Sequence, residues 1–342
     1  MNFKPLYAWI VLFPLLVGAC GGSKDNPELP PPGPQPENPQ PGSNPWDANR
    51  GKKVQPSGAG WTSTVIDEGI VYYAFEGTES VSNAPQRIFV TDVDLSKSQY
   101  EFKLEYYSGR STASNVFATK NAIAVINGGY ERGSIVIWKD GQKYSTMPDN
   151  TISDTGVPNW KSEAAVYMDN KRDVRIEFSG KGMSITQQRN FYMNSKEKTI
   201  LSSAPMLIDD YEPVGESFCT LHPRQSSSSE DPYTHQNTNT HPRTALAKTE
   251  FNHLLMIVVD GRRSNVSRGM SAKELTGFLV KNFNPQYAIN LDGGGSSTMC
   301  VKGQGDPETH VVNYPTDSDQ VKGVPDHTGE RSVPTFFYVI KK

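Results

Sequence analysis

The chain has 342 residues and a formal net charge of −3, with 34 Lys and Arg against 37 Asp and Glu. No clustered Lys/Arg stripe interrupts that balance, which excludes nucleic acid as the natural partner. After the N-terminal leader and proline-rich segment, enough sequence remains for one large domain or two small ones.

In chain order, Lys4 precedes an apolar run, Leu6 to Val17, too short to span a bilayer as a helix, so residues 1–19 read as a cleaved signal peptide. The run closes on Val17-Gly18-Ala19-Cys20, which resembles a bacterial lipobox. Cys20 is then acylated, and the expected location is the bacterial cell envelope, with the membrane as partner through the lipid. Residues 20–59 follow as a Pro-rich stalk, containing Pro30-Pro31-Pro32 and few apolar residues; such a segment cannot bury enough surface to offset its ordering entropy. Residues 60–342 form one globular domain, since no second linker and no fixed-period repeat divides them. Beyond Cys20, Cys219 and Cys300 can pair in an oxidising compartment or stay apart; sequence does not supply their separation.

Strands are expected at Ile70 to Phe75, Ile88 to Val93 and the alternating Tyr100 to Tyr107. Ile135 to Trp138 runs into the turn pair Asp140-Gly141, and Val174, Ile176 and Phe178 alternate as a half-buried strand does. The stretch Asp209 to His241 reads as a long loop, a lid or an insertion; its histidines, His222, His235 and His241, match no metal-ligand spacing. Ser271 to Glu274 has the form of a helix capping box, with Leu275, Phe278, Leu279 and Phe283 largely on one face of the helix it opens. Strand runs greatly outnumber helical ones, so the expected fold class is α+β: mixed or antiparallel sheets with a few packed helices.

Three apolar runs end in Asn or Asp followed at once by glycine: Ala122 to Ile126 before Asn127-Gly128-Gly129, Leu254 to Val259 before Asp260-Gly261, and Ala288 to Leu291 before Asp292-Gly293-Gly294-Gly295. Taken singly, each is a turn with an Asx cap. Taken together, they place functional groups where backbone can approach a ligand closely. Asp292 to Thr298 offers a carboxylate, flexible backbone amides and the hydroxyls of Ser296, Ser297 and Thr298, which suits an anion site. Arg243, in Pro242-Arg243-Thr244-Ala245, adds a group able to grip phosphate through two hydrogen bonds, although alone it equally suits a surface ion pair. Asp260, Asn290 and Asp292 are hard oxygen donors that can hold calcium or magnesium; the preferred reading needs no cofactor.

Asn127-Gly128-Gly129-Tyr130, Pro242 to Ala245, Val259-Asp260-Gly261-Arg262, Ser267 to Met270, Asn290 to Thr298 and Glu330-Arg331 resemble, in order, the blocks of the phosphodiester glycosidase family, over roughly Asn121 to the C-terminus. That family includes the enzyme that uncovers mannose 6-phosphate. The resemblance implies hydrolysis of a sugar-1-phosphodiester in a glycan, freeing the sugar and leaving a phosphomonoester. It implies a pocket of Asp292, Asp260 and Arg243 as catalytic groups, with Asn127, Gly128, Gly129, Asn290, Gly293, Gly294, Gly295, Ser296, Ser297, Thr298, Arg262, Glu330 and Arg331 contacting substrate. Either Asp292 or Asp260 serves as nucleophile or base, and Asn127 and Asn290 bind sugar hydroxyls or orient the carboxylates. Two other functions fit the same residues: a non-catalytic module that binds phosphorylated glycans, and a phosphodiesterase that attacks phosphorus.

Overall fold

The computed structural model describes residues 45–148, 160–168, 173–179, 183–217, 239–317 and 326–342. The signal peptide, Cys20, most of the stalk, Cys219, His222 and His235 lie outside the described residues, and with them lipidation and the Cys219–Cys300 pairing. Cys300 itself is buried.

The named strands of the described residues form three antiparallel sheets. The largest has seven strands in the order β1 (Trp61–Asp67), β2 (Ile70–Glu79), β3 (Ala84–Asp94), β13 (His253–Val259), β12 (Arg243–Lys248), β14 (Tyr287–Asn290) and β11 (Met206–Ile208). The second runs β7 (Gln142–Ser145), β6 (Ile137–Lys139), β10 (Thr199–Ser203), β8 (Ala164–Met168) and β9 (Val174–Glu177). The third runs β15 (Met299–Val301), β5 (Ala124–Asn127), β16 (Val333–Lys341) and β4 (Tyr100–Ser111). The expected early strands and the Asp140-Gly141 hairpin are all present. At that turn both residues have positive φ, 51° and 84°, as a tight two-residue hairpin requires.

One core joins the sheets: Leu246, Met256 and Val258 of the first meet Ile126 and Phe337 of the third and Val166 and Leu201 of the second. Because side chains alternate along a strand, the opposite faces need their own cover, and each sheet receives one helix. Helix α3 (Ala272–Asn282) lays Leu275, Phe278 and Leu279 on the outer face of the seven-stranded sheet, against Ile257 and Val259. Its start is the expected capping box: Ser271 accepts from the Glu274 amide, and the Glu274 side chain accepts from the Ser271 amide. Helix α1 (Ala113–Lys120) places Val116 on the third sheet beside Val125 and Phe336. Helix α2 (Ile185–Met193) places Tyr192 on the second beside Tyr167 and Ile200. The α+β expectation for this chain holds.

The described residues begin at Pro45, within the stretch expected as stalk. Pro45–Asn49 form a 3-10 turn, Asn284 Nδ2 donates to the Asn49 and Lys52 carbonyls at 2.8 Å each, and the Gly51 amide donates to Glu250 at 2.9 Å. Composition alone assigned these residues to the stalk because they contribute little apolar surface; they are held by polar contacts instead. No helix among the described residues is long and apolar enough to cross a membrane.

Candidate active site

The tips of β5, β13 and β14 meet at the start of β12. The Asp292 amide donates to the Gly128 carbonyl at 3.0 Å, the Leu291 amide to Thr244 at 2.8 Å and the Gly294 amide to Pro242 at 2.9 Å. The glycines are what permit this approach: a Cβ on Gly261 would stand 2.6 Å from the Pro242 nitrogen, and one on Gly293 2.6 Å from the Pro242 carbonyl oxygen. Both obstacles are backbone atoms that cannot swing away. Gly293→Ala is therefore expected to cost about 1–3 kcal/mol, read as a lowered Tm, together with loss of activity.

Beneath the tips runs a hydrogen-bonded spine of buried side chains. Asn127 Nδ2 donates to the Asp292 carbonyl at 2.7 Å, while its Oδ1 accepts from Thr244 Oγ1 at 2.7 Å and from the Thr298 amide at 3.2 Å. Thr244 Oγ1 also lies 3.2 Å from Ser297 Oγ, and Asn313 Nδ2 links the Ser297 carbonyl, 2.9 Å, to Asp260 Oδ1, 3.1 Å. Asn127, Ser297 and Thr298 thus hold the strand tips in register. Buried amides and hydroxyls joined in this way fix a unique geometry.

The two aspartates occupy different surroundings. Asp260 is 4% exposed and accepts from Asn313 Nδ2 and from the Tyr314 amide at 3.2 and 3.1 Å. Burial pushes its carboxyl up to about 7, opposed by those hydrogen bonds and by the charges of Arg263 and Arg87. Asp292 follows the last core residue of its run, Leu291, and is partly exposed. Its carboxyl is pushed up to about 6, first by desolvation; the Ser296 hydroxyl and the charges of Arg331 and Lys161 act the other way, and the charge of Glu131 adds to the rise.

Two cations, Arg331 and Lys161, act on that carboxyl. Arg331 Nη1 reaches Ser296 Oγ at 3.4 Å, and its other nitrogens hold Asp317 at 2.5 and 2.9 Å. That pair fills the space beside Gly295, where a Cβ would stand 2.0 Å from Asp317 Oδ1. Arg262 is exposed and has a left-handed backbone, φ 61°; a Cβ on Gly294, itself at φ 63°, would stand 2.9 Å from Arg262 Nη2. Lys161 Nζ lies 5.2 Å from the centre of the Tyr130 ring. Tyr130 donates its hydroxyl to the Ala204 carbonyl at 3.0 Å, which also receives Asn290 Nδ2 at 3.0 Å. The Asn290 Oδ1 is buried and accepts no hydrogen bond among the described residues. Arg243 is 3% exposed, donates from Nε to the Met270 carbonyl at 2.8 Å and from Nη2 to that of Asn239 at 3.2 Å, and is pulled down to about 10 by burial. It is lodged under the glycine turn rather than on the surface.

Glu330 does different work from its neighbour: its Oε2 accepts the Ser114 amide at 3.0 Å in the first turn of α1, where the helix dipole favours a carboxylate. Gly129 packs on Ile135 and the Ser202 carbonyl. Among the described residues no group of three or more His, Cys, Asp or Glu is arranged to hold a metal ion, and Asp260, Asn290 and Asp292 each turn to separate partners. Sequence reading passed over Glu131, Lys161, Asn313 and Asp317. Only Glu131 left a signal, since it adjoins the Asn127 to Tyr130 block; the others come from segments with no glycine turn of their own.

The profile of the phosphodiester glycosidase family matches residues 120–340. Among solved structures, the chain is similar to the catalytic domain of zebrafish N-acetylglucosamine-1-phosphodiester alpha-N-acetylglucosaminidase, auto-inhibited by its pro-peptide, at 16% identity and a TM-score of 0.56, covering 85% of this chain and 87% of that one. A hypothetical protein from Synechocystis aligns at 10% identity with a TM-score of 0.56, over 84% of this chain and 64% of its own. A putative exported protein from Burkholderia pseudomallei aligns at 12% identity with a TM-score of 0.54, over 84% and 99%. At these identities the likeness is one of fold, and no curated protein matches the chain. The family match spans more than half of the sequence and includes every strand tip of the site, and on that ground the chain belongs to the phosphodiester glycosidase family.

Proposed function

We propose that this protein hydrolyses a sugar-1-phosphodiester in a glycan, releasing the sugar and leaving a phosphomonoester, from a lipid-tethered position in the bacterial envelope. The observation that carries the reading is the setting of Asp292: a partly exposed carboxyl beside a triple-glycine turn, with Arg331 and Lys161 acting on it from nearby. Cleavage of the anomeric bond sends its electron pair to a phosphate oxygen. With a second pKa of about 6, a phosphomonoester leaves with little help from an acid, so the work falls to groups that stabilise charge on phosphate and to a carboxylate facing the anomeric carbon. Arg262 and Arg331 beside Gly294, Gly295 and Ser296 suit the first task, and Asp292 the second. The buried Asp260 suits neither, because its oxygens are already engaged by Asn313 and Tyr314.

Hydrolysis in oxygen-18 water tests the reaction class. The full chain, given a synthetic sugar-1-phosphodiester, is expected to release sugar carrying the label and an unlabelled phosphomonoester. Label in the phosphate would establish attack at phosphorus instead, and tight binding without turnover would establish a non-catalytic module.

A further inference from the structure

Hydrolysis at an anomeric carbon by paired carboxylates needs a second one, placed to act on water. Asp260 is enclosed and faces Arg87 and Arg263. Glu131 is an exposed carboxylate whose charge acts on Asp292, whereas Asp317 is held by Arg331 at 2.5 and 2.9 Å. Glu131 follows Tyr130 directly, on the segment whose Gly128 carbonyl receives the Asp292 amide at 3.0 Å. Its Oε2 stands 2.8 Å from Arg110 Nη2, and Arg110 donates from Nη1 to the Ser332 carbonyl at 3.2 Å. The residue before Ser332 is Arg331, which reaches Ser296 next to Asp292. Arg110 thereby ties Glu131 to the backbone one residue beyond Arg331. It does so from a left-handed backbone, φ 63°, a conformation that costs a non-glycine residue about 1 kcal/mol and is concentrated at functional sites. The Glu131 side chain is 56% exposed, open to water, and its charge acts on both Asp292 and Arg331.

We infer that Glu131 is the second carboxylate of the reaction and takes the proton from the attacking water. This rests on the glycosidase reading above. In the step, a water O–H bond breaks to Glu131 as the oxygen bonds to the anomeric carbon. The electron pair of the bond broken at that carbon goes to the phosphate, or to Asp292 where a glycosyl ester has formed first. Glu131 then returns the proton to solvent.

The test compares full-length wild type with Glu131→Gln on the same synthetic phosphodiester, with and without sodium azide. The expected result is a fall in kcat of about 10²–10⁴ with KM little changed and an unaltered melting curve. Azide, which needs no base, is expected to restore turnover and give the glycosyl azide. A kcat within threefold of wild type, or a loss confined to KM with no azide product, would overturn the assignment while leaving the glycosidase reading intact. Wild type that frees no sugar fails that reading first, and this inference with it.

Discussion

Asp292→Asn is expected to lower kcat by about 10³ or more without lowering the melting temperature. The backbone of residue 292 is unaffected, since its amide still meets Gly128 and its carbonyl still meets Asn127; only the carboxylate is lost. The pH profile separates the roles open to it. Whether it attacks the anomeric carbon, stabilises charge there or accepts a proton, Asp292 must be ionised, and its folded value is about 6. Wild-type kcat/KM should therefore fall as pH drops through about 6, and the residual activity of the variant should lack that fall. Were Asp292 instead a proton donor, activity would fall on the other side, as pH rises past the same point. A variant within threefold of wild type would remove Asp292 from the chemistry altogether.

Asp260→Asn is expected to act on stability rather than on the chemical step. The Asp260 carboxyl is raised in the folded protein to about 7, well above the ordinary value of about 3.9 for an unfolded chain. A raised acid contributes stability in full below its unfolded value, and that contribution is lost as pH rises through the folded value. For Asp260 the loss accumulates between about pH 4 and 7 and reaches about 4 kcal/mol, an order-of-magnitude figure. Asparagine matches the neutral acid in shape and retains one acceptor for the Asn313 amide or the Tyr314 N–H. The gap in Tm between variant and wild type should then widen in favour of the variant from pH 5 to pH 8. Parallel curves across that range would show that Asp260 is not the buried acid described.

These two aspartates mark the limit of what the sequence could disclose. Each closes a buried apolar strand, each precedes glycine, and nothing local tells them apart. What separates them is tertiary: Asn313 and Tyr314, more than fifty positions along the chain, close over Asp260 and leave Asp292 open. Local signals were otherwise sufficient where local physics decides. Alternation placed β2, β3 and β4, the Ser271 to Glu274 pattern placed the start of α3, and Asp140-Gly141 placed a hairpin. The convergence of Asn127, Asp260 and Asp292 on Pro242 was legible because three runs shared one unusual ending. Lys161 and Asp317 were not, since a lone surface-type charge carries no sign of the carboxylate or arginine it will face. The docking of Pro45 to Lys53 was missed for a related reason: hydrogen bonds to backbone carbonyls depend on who the neighbour is, and composition does not record neighbours.

The spine from Asn127 through Thr244, Ser297 and Asn313 to Asp260 ties the third sheet to the first directly beneath the Asp292 carboxyl. Among the described residues this floor is cross-linked from one layer to the next. It cannot slacken by letting one layer drift, because each layer supplies an anchor the others depend on. Adaptation to new substrates is thereby steered toward the loops around the opening, whose side chains can be exchanged freely, while the floor stays constant for as long as the protein remains folded.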